Sequence, residues 1–206
     1  EGPADNNGPG FIHGVACGAG QLAPSRMEVG LPIGYFYGYQ TDGIFQNASE
    51  IEAHPSQIAL GANAQPGDLR FVDVNGDGVI DPNDRTNLGD PIANMTMGLN
   101  FQVEYKRFDL LTYAFASLGG DIVRNYERAL SDVNRLDYYL SRWTGEGTSN
   151  EVPRTTTAAT ANGVFSDFFV EEATFLRLQT CLLSTSDASH LLLRATPLVL
   201  RATHKH

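Results

Sequence analysis

The sequence predicts an all-β fold, and three observations predict it. The run Met95–Tyr105 alternates apolar and polar residues without a break over 11 positions, the period of a strand with one greasy and one wet face. A second run, Phe108–Leu118, follows after only Lys106 and Arg107, which makes an antiparallel hairpin with a tight turn. The composition agrees: 21 Gly, 10 Pro, 8 Tyr and 11 Phe are the residues of turns and strands. Strands of soluble proteins usually run about 5–6 residues, whereas a membrane-spanning strand needs about 9–11. The long strand alone does not decide between a soluble sandwich and a membrane barrel.

The 206 residues carry a formal charge of −10, which argues against a nucleic-acid partner, since phosphates call for a basic face. The hydrophobic fraction of 42% is enough for a core. No stretch approaches the roughly 20 apolar residues of a membrane helix, while the alternating strands of a membrane barrel escape such a test. Cys17 and Cys181 are too few and too far apart for a disulfide framework or a zinc site, and both read as unpaired thiols. No nucleophile elbow, zinc-protease helix or phosphate loop is present, so no catalytic residue is assigned. His13 and His54 stand alone. The adjacent Glu171 and Glu172 fall on opposite faces of an extended chain and do not form a paired-carboxylate site.

Residues 1–27 open on Glu1 rather than Met and are rich in Gly, Ala, Asn and Pro, so they read as a loop in a chain cut from a longer one. Residues 29–39 alternate again. Val29, Leu31, Ile33, Tyr35, Tyr37 and Tyr39 share one parity, which reads either as an interfacial tyrosine girdle or as a Tyr-rich strand on a core, with Pro32 making its first half irregular. In the hairpin, Leu111, Tyr113 and Phe115 form one face of the second strand and Thr112, Ala114 and Ala116 the other. Residues 119–166 carry little strand pattern and read as one long loop. Such a loop is unusual in a compact soluble domain and ordinary at one end of a membrane barrel. A strand-like run resumes over 168–178. Residues 180–206 are leucine-rich without a clean period and read as a non-native tail from a frameshift or read-through, with His204 and His206 as solvated termini.

Residues 73–84 match the D-x-[DN]-x-[DN]-G core of a calcium loop. Calcium takes six to eight oxygens, so carboxylates and amides must converge from alternate positions. Asp73, Asn75 and Asp77 would supply side-chain oxygens, Val79 its backbone carbonyl, Asp81 a direct or water-mediated contact, and Asp84 the last ligand. Gly78 permits the sharp turn and Ile80 is expected to point inward as an apolar anchor. Asp84 stands where a longer Glu is usual, and Pro82 would open at most a short helix. The strand-like flank Leu69-Arg70-Phe71-Val72 makes this a single loop, not a paired helix–loop–helix sensor. Without a bound ion the same residues would form a run of Asx turns.

The motifs occur in an order that resembles a known family. The series is Val29-Gly30-Leu31-Pro32-Ile33-Gly34-Tyr35-Phe36-Tyr37-Gly38-Tyr39, Thr41-Asp42-Gly43-Ile44-Phe45-Gln46, Pro66-Gly67-Asp68-Leu69-Arg70-Phe71 and the 73–84 loop. Asp84-Arg85-Thr86, Leu88-Gly89-Asp90-Pro91-Ile92 and the hairpin follow, then Arg142-Trp143-Thr144-Gly145, Phe169-Val170-Glu171-Glu172 and Phe175-Leu176-Arg177-Leu178. Over 28–178 this resembles the C-terminal part of SusC/RagA-type TonB-linked outer-membrane proteins. The resemblance implies a fragment of a large, plugged, transmembrane antiparallel β-barrel with long extracellular loops, the 73–84 loop among them, set in outer-membrane lipid. It implies import of glycans or peptides, driven through the TonB complex and capped by a SusD-like lipoprotein, with no catalytic residue. The implied segments are a loop over 1–27, barrel over 28–179 and the non-matching tail over 180–206, with the plug upstream. The other reading is a secreted calcium-binding β-module for adhesion or carbohydrate binding, which rests on the Asp-rich loop and the strand content.

Overall fold

The computed structural model describes residues 12–13, 24–124, 136–185, 193–194 and 198–201. Strands dominate, and every ladder between them is antiparallel where its register is resolved. The all-β expectation therefore holds. The chain divides into two compact units, one built from 1–90 and 123–171, the other from 91–122 and 172–206.

In the first unit, β1 (Ile12–His13), β2 (Ser25–Met27), β3 (Tyr35–Gly38) and β6 (Thr86–Gly89) form a four-stranded sheet in that order. β4 (Thr41–Ile44) and β5 (Leu69–Phe71) pair separately, with Thr41 opposite Phe71 and Ile44 opposite Leu69. Between them lies the short helix α1 (Ala48–Ala53), whose N-cap Asn47 accepts a hydrogen bond from the Glu50 N–H at 3.0 Å.

Only Tyr35–Gly38 of the alternating 29–39 run is a strand. Residues 29–34 turn, with Gly30 and Gly34 at positive φ, and Val29 and Ile33 stand 80% and 73% exposed. The tyrosine-girdle reading is overturned here. Tyr35 and Tyr39 are buried, and Tyr39 packs edge-on to Phe71 at 5.8 Å in a core with Ile44, Leu69, Ile80 and Ala161. Burial, then the hydrogen bond its hydroxyl donates to Glu28, pushes Tyr35 up to about 12, so it stays neutral.

The 119–166 stretch was expected to be a structureless loop. Its described part, 136–166, instead folds back on β4 and β5. Trp143 packs on the core, and its indole N–H donates to Gln46 at 3.1 Å. The Asn150 amide oxygen accepts the Ile44 N–H at 3.0 Å, and the Arg154 N–H reaches the Gly67 carbonyl at 2.8 Å. Just beyond it, Asp167 takes the N–H and the hydroxyl of Thr41. Gly67 has to be glycine: at φ 92°, a Cβ there would sit 2.4 Å from the Trp143 ring. At the centre is Asp68, only 1% exposed. Its carboxylate accepts both a 2.7 Å and a 3.1 Å bond from the Arg154 guanidinium, and further bonds from Thr160, Asn162 and the Gln65 N–H.

The second unit is built on β7 (Met95–Tyr105) and β8 (Phe108–Leu118), paired in full register from Met95–Leu118 to Tyr105–Phe108. The expected hairpin is present with its two-residue turn, in which Lys106 adopts φ 57°. The short strands β9 (Asp121–Val123) and β10 (Val170–Glu172) pair where the chain passes from one unit to the other. β11 (Phe175–Thr185) then lies against β8, and β12 (Leu193–Arg194) and β13 (Leu198–Arg201) pair with β11.

The expected break at Thr180 does not occur. β11 runs on to Thr185, with a bulge between Leu178 and Thr180. Cys181 carries a free thiol, while Cys17 lies outside the described residues, as do His204 and His206.

Arg154→Gln leaves the buried Asp68 carboxylate without its charged partner. The expected outcome is a loss of about 3 kcal/mol and earlier proteolytic cleavage within 136–166, read by limited trypsin digestion against the unaltered protein.

Candidate functional site

The 73–84 loop hangs from β5, one residue beyond the strand. Its local fold follows from short acidic side chains that capture backbone N–H groups two or three residues on. Asp73 accepts from Gly76 at 2.7 Å and from Gly78 at 2.8 Å. Asn75 accepts from the Asp77 N–H, Asp77 from the Val79 N–H, and Asp81 from the Asn83 N–H. The Gly78 N–H, and then that of Gly76, holds the Asp73 carboxyl below its ordinary value. Ile80 is fully buried in the core, as its position in the loop predicts. Its N–H donates to Ser56 at 2.8 Å, which ties the far side of the loop to the segment before β5.

Asp84 occupies a different place from the other acids. It is 0% exposed, and its carboxylate accepts the N–H groups of Val74 at 3.0 Å, Asn75 at 3.3 Å and Asp81 at 2.7 Å. It closes the loop from behind, joining the two ends through backbone amides. Pro82 opens a single 3-10 turn, Pro82–Asp84, with Asp81 as its cap.

Asp73 and Asp81 are half-buried, and Asn75, Asp77 and Val79 are exposed. Among the described residues, no three His, Cys, Asp or Glu side chains converge as a metal-ligand group. The donor types and their accessibility suit a hard cation; Asp84, enclosed and fully engaged, does not suit the role of last ligand.

The second candidate surface is the sheet of β7, β8 and β11. Residues opposite one another on antiparallel strands share a face. On one face stand Met95, Met97, Leu99, Phe101, Val103 and Tyr105 with Phe108, Leu110, Ala114, Ala116 and Leu118 opposite. β11 adds Leu176, Leu178, Cys181 and Leu183. Thr112 is the one polar interruption, and no charge stands on this face among the described side chains. The face is open: Leu99 is 63% and Phe101 50% exposed.

The opposite face carries Thr96, Asn100, Gln102 and Glu104, then Tyr113, Phe115, Asp109 and Arg177. The register therefore puts the aromatic residues of β8 beside the amides of β7. Alternation within each strand cannot show which parities are neighbours.

Comparison with known proteins bears on these surfaces. No family model matches the chain. It is 32% identical over 156 residues to "TonB-dependent receptor P3" of Formosa agariphila, and that match takes in 74% of this chain. It is similar to TonB-dependent receptors. "TonB-dependent receptor P26" of the same organism matches at 25% identity over 76% of the chain, and "TonB-dependent receptor SusC" of Bacteroides thetaiotaomicron at 29% over 68%. The resemblance drawn from the ordered motifs thus holds, SusC included. The chain spans 15% to 16% of the length of these curated receptors. All three are named as receptors, in agreement with the expectation of a non-enzyme.

Asp73 makes the loop sensitive to acid in a defined direction. Its folded-state value lies below the ordinary 3.8. Its contribution is therefore complete above that value and lost as the pH falls through the lower folded one. Amide hydrogen exchange at Gly76 and Gly78 should stay slow down to about pH 4 and quicken below it. Asp73→Ala should make both amides exchange fast at every pH.

Proposed function

We propose that this chain is part of the wall and outer loops of a TonB-dependent outer-membrane importer. The observation that carries the reading is the uncharged apolar face of β7, β8 and β11, left open in a chain similar to TonB-dependent receptors. In water such a face is an aggregation hazard. Against hydrocarbon it is the expected surface, with polar residues turned to the lumen. An 11-residue strand is about 36 Å long, and tilted by about 45° it crosses an apolar band of about 25 Å. The free edge of β7 would be met by a neighbouring strand of the receptor, since open edges are not tolerated in hydrocarbon. No described helix is long and apolar enough to cross a membrane, which leaves strands as the spanning elements of this reading.

The finer parts of the proposal rest on the likeness to SusC and its kin. The cargo is a glycan or peptide, import draws on the TonB complex, and a SusD-like lipoprotein covers the outer mouth. The 73–84 loop lies on the extracellular side and takes Ca²⁺ through Asp73, Asn75, Asp77, the Val79 carbonyl and Asp81, with Asp84 as the internal clamp. Their accessibility and the alternate spacing support this. The ion would add a cross-link between oxygens of the outer half of the loop. Asp84 already joins the ends.

A charge scan in the full-length receptor tests the orientation. Leu99→Arg and Phe101→Arg should each cost about 2–4 kcal/mol near the midplane and reduce the folded receptor in outer membranes. Asn100→Arg should be mild. Equal tolerance on the two faces would refute the assignment.

Calcium is tested separately by titrating Ca²⁺ against the receptor in calorimetry. Asp77→Ala should abolish the heat of binding. Asp84→Asn should retain binding and lower the melting temperature, because it weakens a clamp and removes no ligand.

A further inference from the structure

The polar face of the sheet contains one cation among its described side chains, Arg177, and the structure gives it nothing to pair with. Its register partner on β8 is Phe115, and Phe175 lies two residues away on the same face. The two rings approach to 6.0 Å between centroids. The guanidinium Nε is shut off from solvent and has no hydrogen-bond partner. A guanidinium never sheds its proton in a protein, so burial cannot be relieved by neutralisation. The carboxylates of the same face are at its other end. Glu104 and Asp109 face each other beside the turn, and Asp109 is six residues along β8 from Phe115, about 20 Å away.

A buried, charged donor without an acceptor is costly to leave unmade. Planar guanidinium beside aromatic rings is the arrangement that receives a carboxylate in a fixed, two-point geometry. We infer that Arg177 docks an Asp or Glu side chain from a segment of the receptor outside this chain, held inside the barrel against the Phe115–Phe175 pair. The inference rests on the proposed reading that this face lines the lumen. Three facts select the occupant. The charge required is negative. The chain covers 15% of the matched receptors' length, so most of the polypeptide remains to supply it. The surroundings of Arg177, two Phe rings and the amide of Asn100 nearby on β7, are those of a packed protein interface.

The test uses the full-length receptor in outer membranes, with the photo-crosslinker benzoylphenylalanine placed at position 177 and the products mapped by mass spectrometry. Attachment to an Asp- or Glu-bearing segment of the same polypeptide, outside these 206 residues, is the expected result. Attachment only to neighbouring strands of this chain, to an added oligogalacturonate probe, or to nothing overturns it. Attachment to lipid overturns the orientation of the sheet instead, and with it the reading on which the inference stands.

A second measurement follows from the mapped carboxylate. Arg177→Gln, or neutralising that carboxylate by Asp→Asn or Glu→Gln, should each speed trypsin cleavage of the docked segment about tenfold or more. The pair together should add nothing further, and Arg177→Lys should recover part of the protection. Independent, multiplying effects of the two changes would overturn the docking.

Discussion

The buried Asp68 carboxylate is the constraint on which the first unit depends. A charge removed from water is tolerated only when it is paired and its remaining lone pairs are filled. Asp68 meets both conditions with groups remote in sequence: the Arg154 guanidinium, the Thr160 hydroxyl and the Asn162 amide. Satisfying this one side chain brings 154–162 onto the start of β5. That placement lets Trp143 cover Gly67 and lets Ala161 and Val164 complete the core around Phe71. The Asp-rich loop leaves from the end of the same strand, so its base inherits a fixed position from a residue that takes no part in its own hydrogen bonding.

The two units obey opposite surface rules. The first buries Tyr39, Ile44, Leu69, Phe71 and Ile80 and shows water its acids, the ordinary arrangement of a protein folding in water. The second leaves Met95, Leu99, Phe101 and Tyr105 uncovered and keeps its charges on the other face. One sequence thus carries two solvents' worth of patterning, and the similarity to TonB-dependent receptors gives that division a physical setting.

What could be read from the sequence was what neighbouring residues decide. The β7–β8 hairpin was legible because period-2 alternation and a two-residue gap are local signals. The Asx turns of 73–84 and the inward aim of Ile80 were legible because each side chain acts within a few residues of itself. The run 29–39 misled because its parity is that of a strand, while Gly30, Pro32 and Gly34 turn the chain before Tyr35. The role of 136–166 was illegible for a different reason. Asn150, Arg154 and Asp167 find their partners some hundred positions earlier, and no spacing announces such a pairing. Asp84 could be seen as an acid in the right place, but its enclosure by three backbone amides could not.

The bulge in β11 also explains why the residues after Leu178 look foreign. Up to Leu178 the apolar face takes even positions, Leu176 and Leu178; beyond the bulge it takes odd ones, Cys181 and Leu183. Gln179 works as a phase marker. Losing that one position would merge the two halves into a single uninterrupted rhythm with every side chain still on its proper face. An insertion or loss anywhere else in the strand would turn all that follows inside out. The lineage of this strand is therefore free to vary in length at one point only. An alignment that forces residues 175–185 into one unbroken alternation will misplace half of them.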